Sequence, residues 1–230
     1  MSPVSLRDPF VRKVIANGAI AVGFVLVVSL APQWLLQVLI LALGALMWDE
    51  LRYYGDYRMR FLNRRHVTDG LYYALILGVG GMSIVLWSPH FRGMLLTVAA
   101  IIASTDIASE VLGRRFGKPG TLFPSLSPNK SLLGGIGGLA AGVLVVFCAI
   151  IAWKLWHTPL DPIIGYTLIA IPLLAIAGDL LESATKRKLQ IKNFGSTLGV
   201  QTGGVLDRLD SWLLSFVAVG AAQMAVYYIG

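Results

Sequence analysis

Acidic side chains occur in three pairs in the second half of a mostly apolar chain, and the members of each pair are three or four residues apart. The pairs are Asp106 with Glu110, Asp179 with Glu182, and Asp207 with Asp210. At this spacing both carboxylates of a pair lie on one face of a helix. Carboxylate oxygens are donors that Mg²⁺ prefers, often shared with substrate phosphates. No pair has enough donors alone, so a cation site would have to be assembled between helices.

Lysine and arginine are concentrated in the segments beside these acids. Carboxylates next to basic segments indicate phosphate chemistry, because bound cations neutralise the charge that develops at phosphorus. The alternative is that the acids merely pair with neighbouring cations such as Arg114 or Lys186. Three pairs on one side of a membrane favour the functional interpretation, since ionisable residues at membrane depth are costly.

Two groups of glycines have different interpretations. The sequence GGIGG, within residues 134–138, opens an apolar segment, and small residues there favour close helix packing. Gly203 and Gly204 lie between Lys192 and Asp207. Bare backbone at a helix start can offer its N–H groups to a phosphate, so these two are candidates for substrate binding.

The composition identifies an integral membrane protein. Of 230 residues, 56% are hydrophobic and 13% are charged, with a mean hydropathy of +0.72. The net charge of +7 therefore indicates contact with anionic membrane lipids rather than with nucleic acid. The single cysteine, Cys148, excludes a disulfide within the chain.

Seven apolar segments predict an all-α, polytopic membrane protein with about seven transmembrane helices in a single domain, 1–230. The predicted spans are about 14–31, 33–48, 71–88, 93–112, 132–153, 163–182 and 211–229. The second is short, so six spans and a re-entrant segment are the alternative. With seven spans, all basic residues except Arg92 and Lys154 fall on the side of the N-terminus. That side is then cytoplasmic, and all three acid pairs lie near it.

Two ordered blocks of sequence resemble the phosphatidate cytidylyltransferases, also called CDP-diacylglycerol synthases. The first runs from TDIASEVLGRRFGK to SPNKSLLGGIGG, and the second from GDLLESATKRKLQIKN to TGGVLDRLDS. They resemble the family's D-x-x-A-x-x-x-G-R-x-F-G-K, S-P-x-K-[ST], G-D-L-x-E-S and D-R-x-D-S patterns. The resemblance covers roughly residues 103–212, the expected catalytic region, whereas residues 1–100 resemble the family only as N-terminal spans.

The resemblance implies transfer of a cytidylyl group from CTP to phosphatidic acid or a related lipid phosphate in the cytoplasmic (inner) membrane, with Mg²⁺ and a second cation as an option. A homodimer is left open. The implied metal ligands are Asp179 and Asp207, supported by Asp210 and Asp106. The implied catalytic, phosphate-binding residues are Lys186, Arg187, Lys192 and Arg208. Ser127 and Lys130 are further candidates for binding the triphosphate, beside Gly203 and Gly204.

The chain departs from the family pattern in the second block. Asn193 stands where the family has aspartate, and the glycine-rich segment before Asp207 lacks the family's histidine and is one residue longer. Three alternatives remain, and the departures bear on the second of them. One is a CTP-dependent kinase of polyprenol or phytol, one is a non-catalytic paralogue that binds lipid or a partner, and one is a transporter with the carboxylates as ion sites.

Overall fold

A computed structural model describes residues 9–62, 69–118, 130–156, 160–191, 193–194 and 204–229, with side chains for these residues except 9–19 and 55–62. Seven helices make up nearly all of this part of the chain. They are α1 (Pro9–Leu30), α2 (Gln33–Leu62), α3 (Asp69–Val85), α4 (Phe91–Phe116), α5 (Leu132–Leu155), α6 (Pro162–Lys188) and α7 (Leu206–Ile229). No strand occurs in the described ranges.

The helices confirm the predicted all-α membrane architecture. Five of them, within α2, α4, α5, α6 and α7, are long and apolar enough to cross a membrane. The 17-residue α3 is at the lower limit for a span. The second segment, predicted to end near residue 48, is part of a continuous 30-residue helix, so a re-entrant segment there is wrong. Hydropathy falls at Asp49, but helix hydrogen bonding needs no apolar side chains, and α2 continues past the apolar stretch.

Glycines bring the helices of the bundle close together. A Cβ on Gly134 would lie 2.7 Å from the Ser109 carbonyl oxygen, and one on Gly138 would lie 2.6 Å from that of Thr105. This confirms the packing interpretation of GGIGG, because α5 lies directly against α4 there. Helix α7 lies between α3 and α6, and a Cβ on Gly81 would lie 2.7 Å from the carbonyl carbon of Phe216.

At one end of the bundle, side chains connect neighbouring helices by donating hydrogen bonds to the last backbone carbonyl oxygens of those helices. The Arg92 guanidinium, at the start of α4, donates to the carbonyl oxygens of Val28 and, at 2.8 Å, Ala31 at the end of α1. The Gln33 amide donates to the Leu86 carbonyl oxygen at 2.7 Å. Helix ends leave such carbonyls without intrahelical partners. Arg92, one of the two basic residues predicted on this side, therefore stabilises the fold.

Exposed aromatic side chains mark the same end. Those at this end are Trp34, Trp87, Trp156, Tyr227 and Tyr228. Tryptophan and tyrosine concentrate where a membrane meets water, so this rim indicates one membrane boundary. The opposite end of the bundle, where α6 ends and α7 begins, is called the acid end below because it contains the second and third acid pairs.

The end of α6 turns the chain back into the bundle at the acid end. The Ile191 N–H donates to the Lys186 carbonyl at 3.0 Å, and the Gln190 N–H donates to the Arg187 carbonyl at 3.1 Å. Gln190 has a φ of 55°, so these bonds form a Schellman motif with a left-handed residue after the helix. Leu189, Ile191 and Phe194 are buried with Leu51 and Leu206 in an apolar cluster.

Candidate active site

Three carboxylates from two helices meet at the acid end. One oxygen from each of Asp179, Glu182 and Asp210 lies within 4.8 Å of the others. Asp179 and Glu182 are three residues apart on α6 and share a face, as their spacing predicts. Asp210 comes from α7, which approaches closely because a Cβ on Gly178 would lie 3.2 Å from the Asp210 carbonyl carbon. These residues are called the acid cluster below.

A fourth carboxylate, Asp106 of α4, faces the acid cluster. It lies near Asp179 and within hydrogen-bonding reach of the Ser211 hydroxyl. The Ser211 backbone N–H donates to Asp210 Oδ1 at 2.7 Å, so Ser211 stands between the two aspartates. The other member of the first pair, Glu110, instead pairs with Arg114 on the surface of α4, with a 2.6 Å ion-pair distance. Only one acid of that pair therefore reaches the cluster.

Glu182 is the most deeply buried member of the acid cluster, with 1% of its side chain exposed. Its Oε2 forms an ion pair with Lys186 Nζ, but neither oxygen makes a well-directed hydrogen bond within the described part of the chain. A buried carboxylate without such bonds is costly. Together with the carboxylates of Asp179 and Asp210, Glu182 forms a set of hard oxygen donors that fits a divalent cation.

Lys130 reaches the acid cluster from the start of α5. Its ammonium forms an ion pair with Asp179, and about a quarter to a third of each side chain is exposed. The next residue, Ser131, caps α5 by accepting the Gly134 N–H at 3.1 Å. Gly113 packs against the same hydroxyl, which holds the start of α5 against the end of α4. Lys130 therefore lies at the acid cluster, and its predicted binding of the triphosphate stays a prediction.

Asp207 lies beside the acid cluster rather than within it. Its Oδ1 is 2.9 Å from Lys186 Nζ, and its Oδ2 accepts the Gly204 N–H at 2.9 Å. Both oxygens are therefore engaged by donors of the protein. The sequence predicted Asp207 as a metal ligand, whereas the structure groups Glu182 with Asp179 and Asp210. The spacing of Glu182 from Asp179 was the sequence signal for this grouping, and the ligand assignment of Asp207 stays a prediction.

Glu50 of α2 holds the start of α7 close to the acid cluster, a contact that the sequence did not predict. Its carboxylate accepts the Val205 N–H at 3.0 Å and the Leu206 N–H at 2.9 Å, at the start of α7. Gly204 was predicted to donate its N–H to a substrate phosphate, and this role stays a prediction. In the structure the Gly204 N–H donates to Asp207. Glu50 lies 155 residues from Val205 in the chain, so no local pattern connects them.

The other predicted site residues have different positions. Arg187 and Arg208 are exposed at the acid end, at the end of α6 and the start of α7. Asn193, where the family pattern has aspartate, is exposed after α6. Lys192, Ser127 and Gly203 lie outside the described residues. Their expected contacts with substrate phosphates remain predictions.

Comparison with known proteins identifies the family of this chain. Residues 63–226 match the cytidylyltransferase family, and this region contains all three acid pairs. The chain belongs to the cytidylyltransferase family. The match is wider than the region 103–212 that the motifs indicated, since it includes α3 and most of α7. Glu50 precedes the matched residues.

Individual relatives carry one common description. A phosphatidate cytidylyltransferase of Brucella suis is 36% identical over 147 residues, which cover 61% of this chain and 50% of the relative. A phosphatidate cytidylyltransferase of Staphylococcus aureus (strain COL) is 30% identical over 199 residues, covering 84% of this chain and 73% of the relative. This cytidylyltransferase-family chain therefore matches about half the length of the Brucella relative.

Proposed function

We propose that this protein transfers the cytidylyl group of CTP to phosphatidic acid, forming CDP-diacylglycerol and pyrophosphate. The observation that carries the proposal is the acid cluster of Asp179, Glu182 and Asp210, flanked by the ammonium groups of Lys130 and Lys186. Carboxylates that attract a cation and lysines that attract phosphate, in one place, suit a reaction between two phosphate compounds. The names of the two relatives support the same substrates.

The acid cluster, with Asp106 beside it, would hold Mg²⁺. A bound cation supplies charge neutralisation at the transferring phosphorus and at the departing pyrophosphate. Glu182 accepts no hydrogen bond in the described part of the chain and has only the Lys186 ion pair, which supports this assignment because a cation would give the buried carboxylate a further partner. With four carboxylates in one place, the proposal extends to a second cation.

The lysines and arginines of the acid end would bind and orient the two substrates. An oxygen of the lipid phosphate attacks the α-phosphorus of CTP, a new oxygen–phosphorus bond forms, and the bond to the pyrophosphate oxygen breaks. Pyrophosphate leaves with that electron pair. A phosphate monoester is already ionised at neutral pH, so no side chain has to remove a proton. The protein contributes positioning and electrostatic stabilisation. Activity therefore does not require the histidine that the family pattern has and this chain lacks.

The proposal places the acid end at the cytoplasmic face of the inner membrane. Arg187, Lys188 and Arg208 are exposed at this end, and basic residues concentrate on the cytoplasmic side of membrane proteins. The aromatic rim at the opposite end would then face away from the cytoplasm. This orientation gives the site access both to CTP in the cytoplasm and to the lipid headgroups of the inner leaflet.

Position-specific labels in CTP distinguish this activity from its alternatives. Purified protein in mixed micelles would receive CTP labelled either in the cytidine ring or in the γ-phosphate, with phosphatidic acid or a free polyprenol as acceptor. We expect the cytidine label in the phosphatidic acid product and the γ-label in pyrophosphate. A γ-label in the lipid would instead identify a kinase. No transfer of either label to any acceptor would contradict the proposal and favour a non-catalytic paralogue.

A further inference from the structure

The strongest unassigned feature is a carboxylate from outside the family match that holds the start of α7. Glu50 is 2% exposed, and its two oxygens accept the N–H groups of Val205 and Leu206. The first N–H groups of a helix have no partner within the helix. A carboxylate at a helix N-terminus also interacts favourably with the helix dipole. Glu50 therefore serves as an N-terminal cap that comes from another helix.

The surroundings of Glu50 restrict where the start of α7 can lie. Leu206, Val205 and Leu51 are buried in the same apolar cluster, so water does not compete strongly for the two hydrogen bonds. Helix α2 packs mainly against α3 and makes little other contact with α7. Glu50 therefore connects α2 to the start of α7 through two buried hydrogen bonds.

Gly204 completes the contact by leaving room for the carboxylate. A Cβ on Gly204 would lie 2.6 Å from Glu50 Cδ and still nearer to Oε2. Real Cβ atoms do not approach other atoms this closely, so a larger residue would push Glu50 away from the helix start. The Gly204 N–H is left to donate to Asp207. Glycine at this position is therefore explained by the carboxylate of α2.

We propose that Glu50 is a positioning residue for the acid cluster, acting through the first turn of α7. Asp207 directly follows the two residues whose N–H groups Glu50 accepts, and Asp210 lies one turn further on. Each residue of a helix is rotated by about 100° from the next, since a turn contains about 3.6 residues. A change in the register of this turn would point Asp210 away from Asp179 and Glu182. The inference rests on the proposed function, because it assigns Glu50 a part in cation binding by that site.

Manganese binding tests the inference without nucleotide or lipid. Mn²⁺ takes the same hard oxygen ligands as Mg²⁺, and the electron paramagnetic resonance signal of free Mn²⁺ reports how much is bound. The full-length protein in detergent would be compared with Glu50→Ala, Glu50→Asp and Glu50→Gln. Asp49→Asn is the matched control, because Asp49 is the exposed acid next to Glu50 on the same helix.

We expect Glu50→Ala and Glu50→Asp to weaken Mn²⁺ binding at least about tenfold, and Glu50→Gln to have an intermediate effect. Aspartate is too short to reach α7, whereas glutamine keeps the length and one acceptor oxygen. Asp49→Asn should bind as wild type. The Mg²⁺ concentration for half-maximal activity of Glu50→Gln should rise with little change in the KM for CTP. Wild-type Mn²⁺ affinity in Glu50→Ala would overturn the inference.

A purely structural role for Glu50 gives a different result. It would lower the thermal unfolding midpoint equally with and without Mn²⁺, whereas a positioning role also reduces the increase in the midpoint that Mn²⁺ produces. If Glu50→Ala does not fold, Glu50→Gln gives the same comparison with a side chain of nearly unchanged shape. An equal loss with and without Mn²⁺ in Glu50→Gln would overturn the inference.

The proposed function and this inference fail in distinguishable ways. If Asp179→Asn weakens Mn²⁺ binding and the Glu50 variants do not, only the inference is wrong. If the Glu50 variants weaken Mn²⁺ binding but the wild-type protein transfers no label from CTP, the inference holds and the proposed reaction is wrong. If the wild-type protein binds no Mn²⁺, both are overturned.

Discussion

Lys186 Nζ lies 2.9 Å from Asp207 Oδ1 and also forms an ion pair with Glu182, so a single ammonium connects α6 to the first turn of α7. All three side chains are at least four-fifths buried. The ion pairs compensate two carboxylates in a place where water is scarce. Lys186 therefore has a structural task in addition to the phosphate binding proposed for it.

Replacement of Lys186 by methionine should destabilise the protein strongly. Removing one partner of a buried ion pair leaves an uncompensated charge, at a cost of about 3–5 kcal/mol. We expect a clear fall in the thermal unfolding midpoint in detergent, whereas Lys188→Met, an exposed lysine two residues later, should change it little. The combination of Lys186→Met with Glu182→Gln should cost less than the sum of the single changes. Additive losses would show that the pair is not coupled.

Substitutions of Glu182 and Asp207 show which of these two carboxylates is a ligand of the cation. Glu182 belongs to the acid cluster, whereas the two oxygens of Asp207 contact Lys186 Nζ and the Gly204 N–H. We expect Glu182→Gln to weaken Mn²⁺ binding more than Asp207→Asn does, as measured by electron paramagnetic resonance. The reverse order would restore the assignment of Asp207 as the principal ligand.

Glycine at position 190 should stabilise the protein. Gln190 has a φ of 55° after α6, a conformation that costs a residue with a Cβ about 1–2 kcal/mol. Glycine loses part of this gain because it is more flexible in the unfolded chain. We expect Gln190→Gly to raise the stability by about 1 kcal/mol or less, seen as a higher unfolding midpoint. A lower midpoint would mean that the glutamine side chain contributes more than the strain removes.

The two ends of the chain should lie on opposite sides of the membrane. Seven helices crossing in alternation would place the start of α1 with the acid end and the end of α7 with the aromatic rim. A reporter fused after Gly230 should be active outside the cytoplasm, and one inserted between residues 195 and 200 should be active inside it. A cytoplasmic signal from the fusion after Gly230 would contradict the orientation.

The sequence predicted much of the fold because hydropathy determines which segments enter a bilayer. It predicted helix ends less well at the acid end, where α2 and α6 continue into charged sequence beyond their apolar stretches. Helical spacing also placed Asp179 and Glu182 on a common face, as observed. Spacing within a helix could not show that Asp207 would be engaged by Lys186 and Gly204.

The contact between Glu50 and the start of α7 could not be predicted from local patterns. A glutamate at the end of an apolar span is typical of a membrane boundary and indicates no specific contact. Its partners are backbone N–H groups, which every residue except proline has, so the side chains of the partner residues do not indicate the contact. The only indirect signal was Gly204, which the sequence analysis attributed to phosphate binding. Its need for empty space came from a side chain more than 150 residues away.

The most direct test of the account is the rate at which cytidine label passes from CTP to phosphatidic acid in wild-type protein, Asp179→Asn and Asp161→Asn. Asp161 caps the opposite end of α6 by accepting the Ile163 N–H at 2.8 Å, and asparagine caps helices equally well. The account predicts Mg²⁺-dependent transfer by the wild type and by Asp161→Asn. It predicts a loss of at least about a hundredfold in Asp179→Asn, because a cation ligand supplies several kcal/mol at the transferring phosphate. Near wild-type transfer by Asp179→Asn, or none by the wild type, would contradict it.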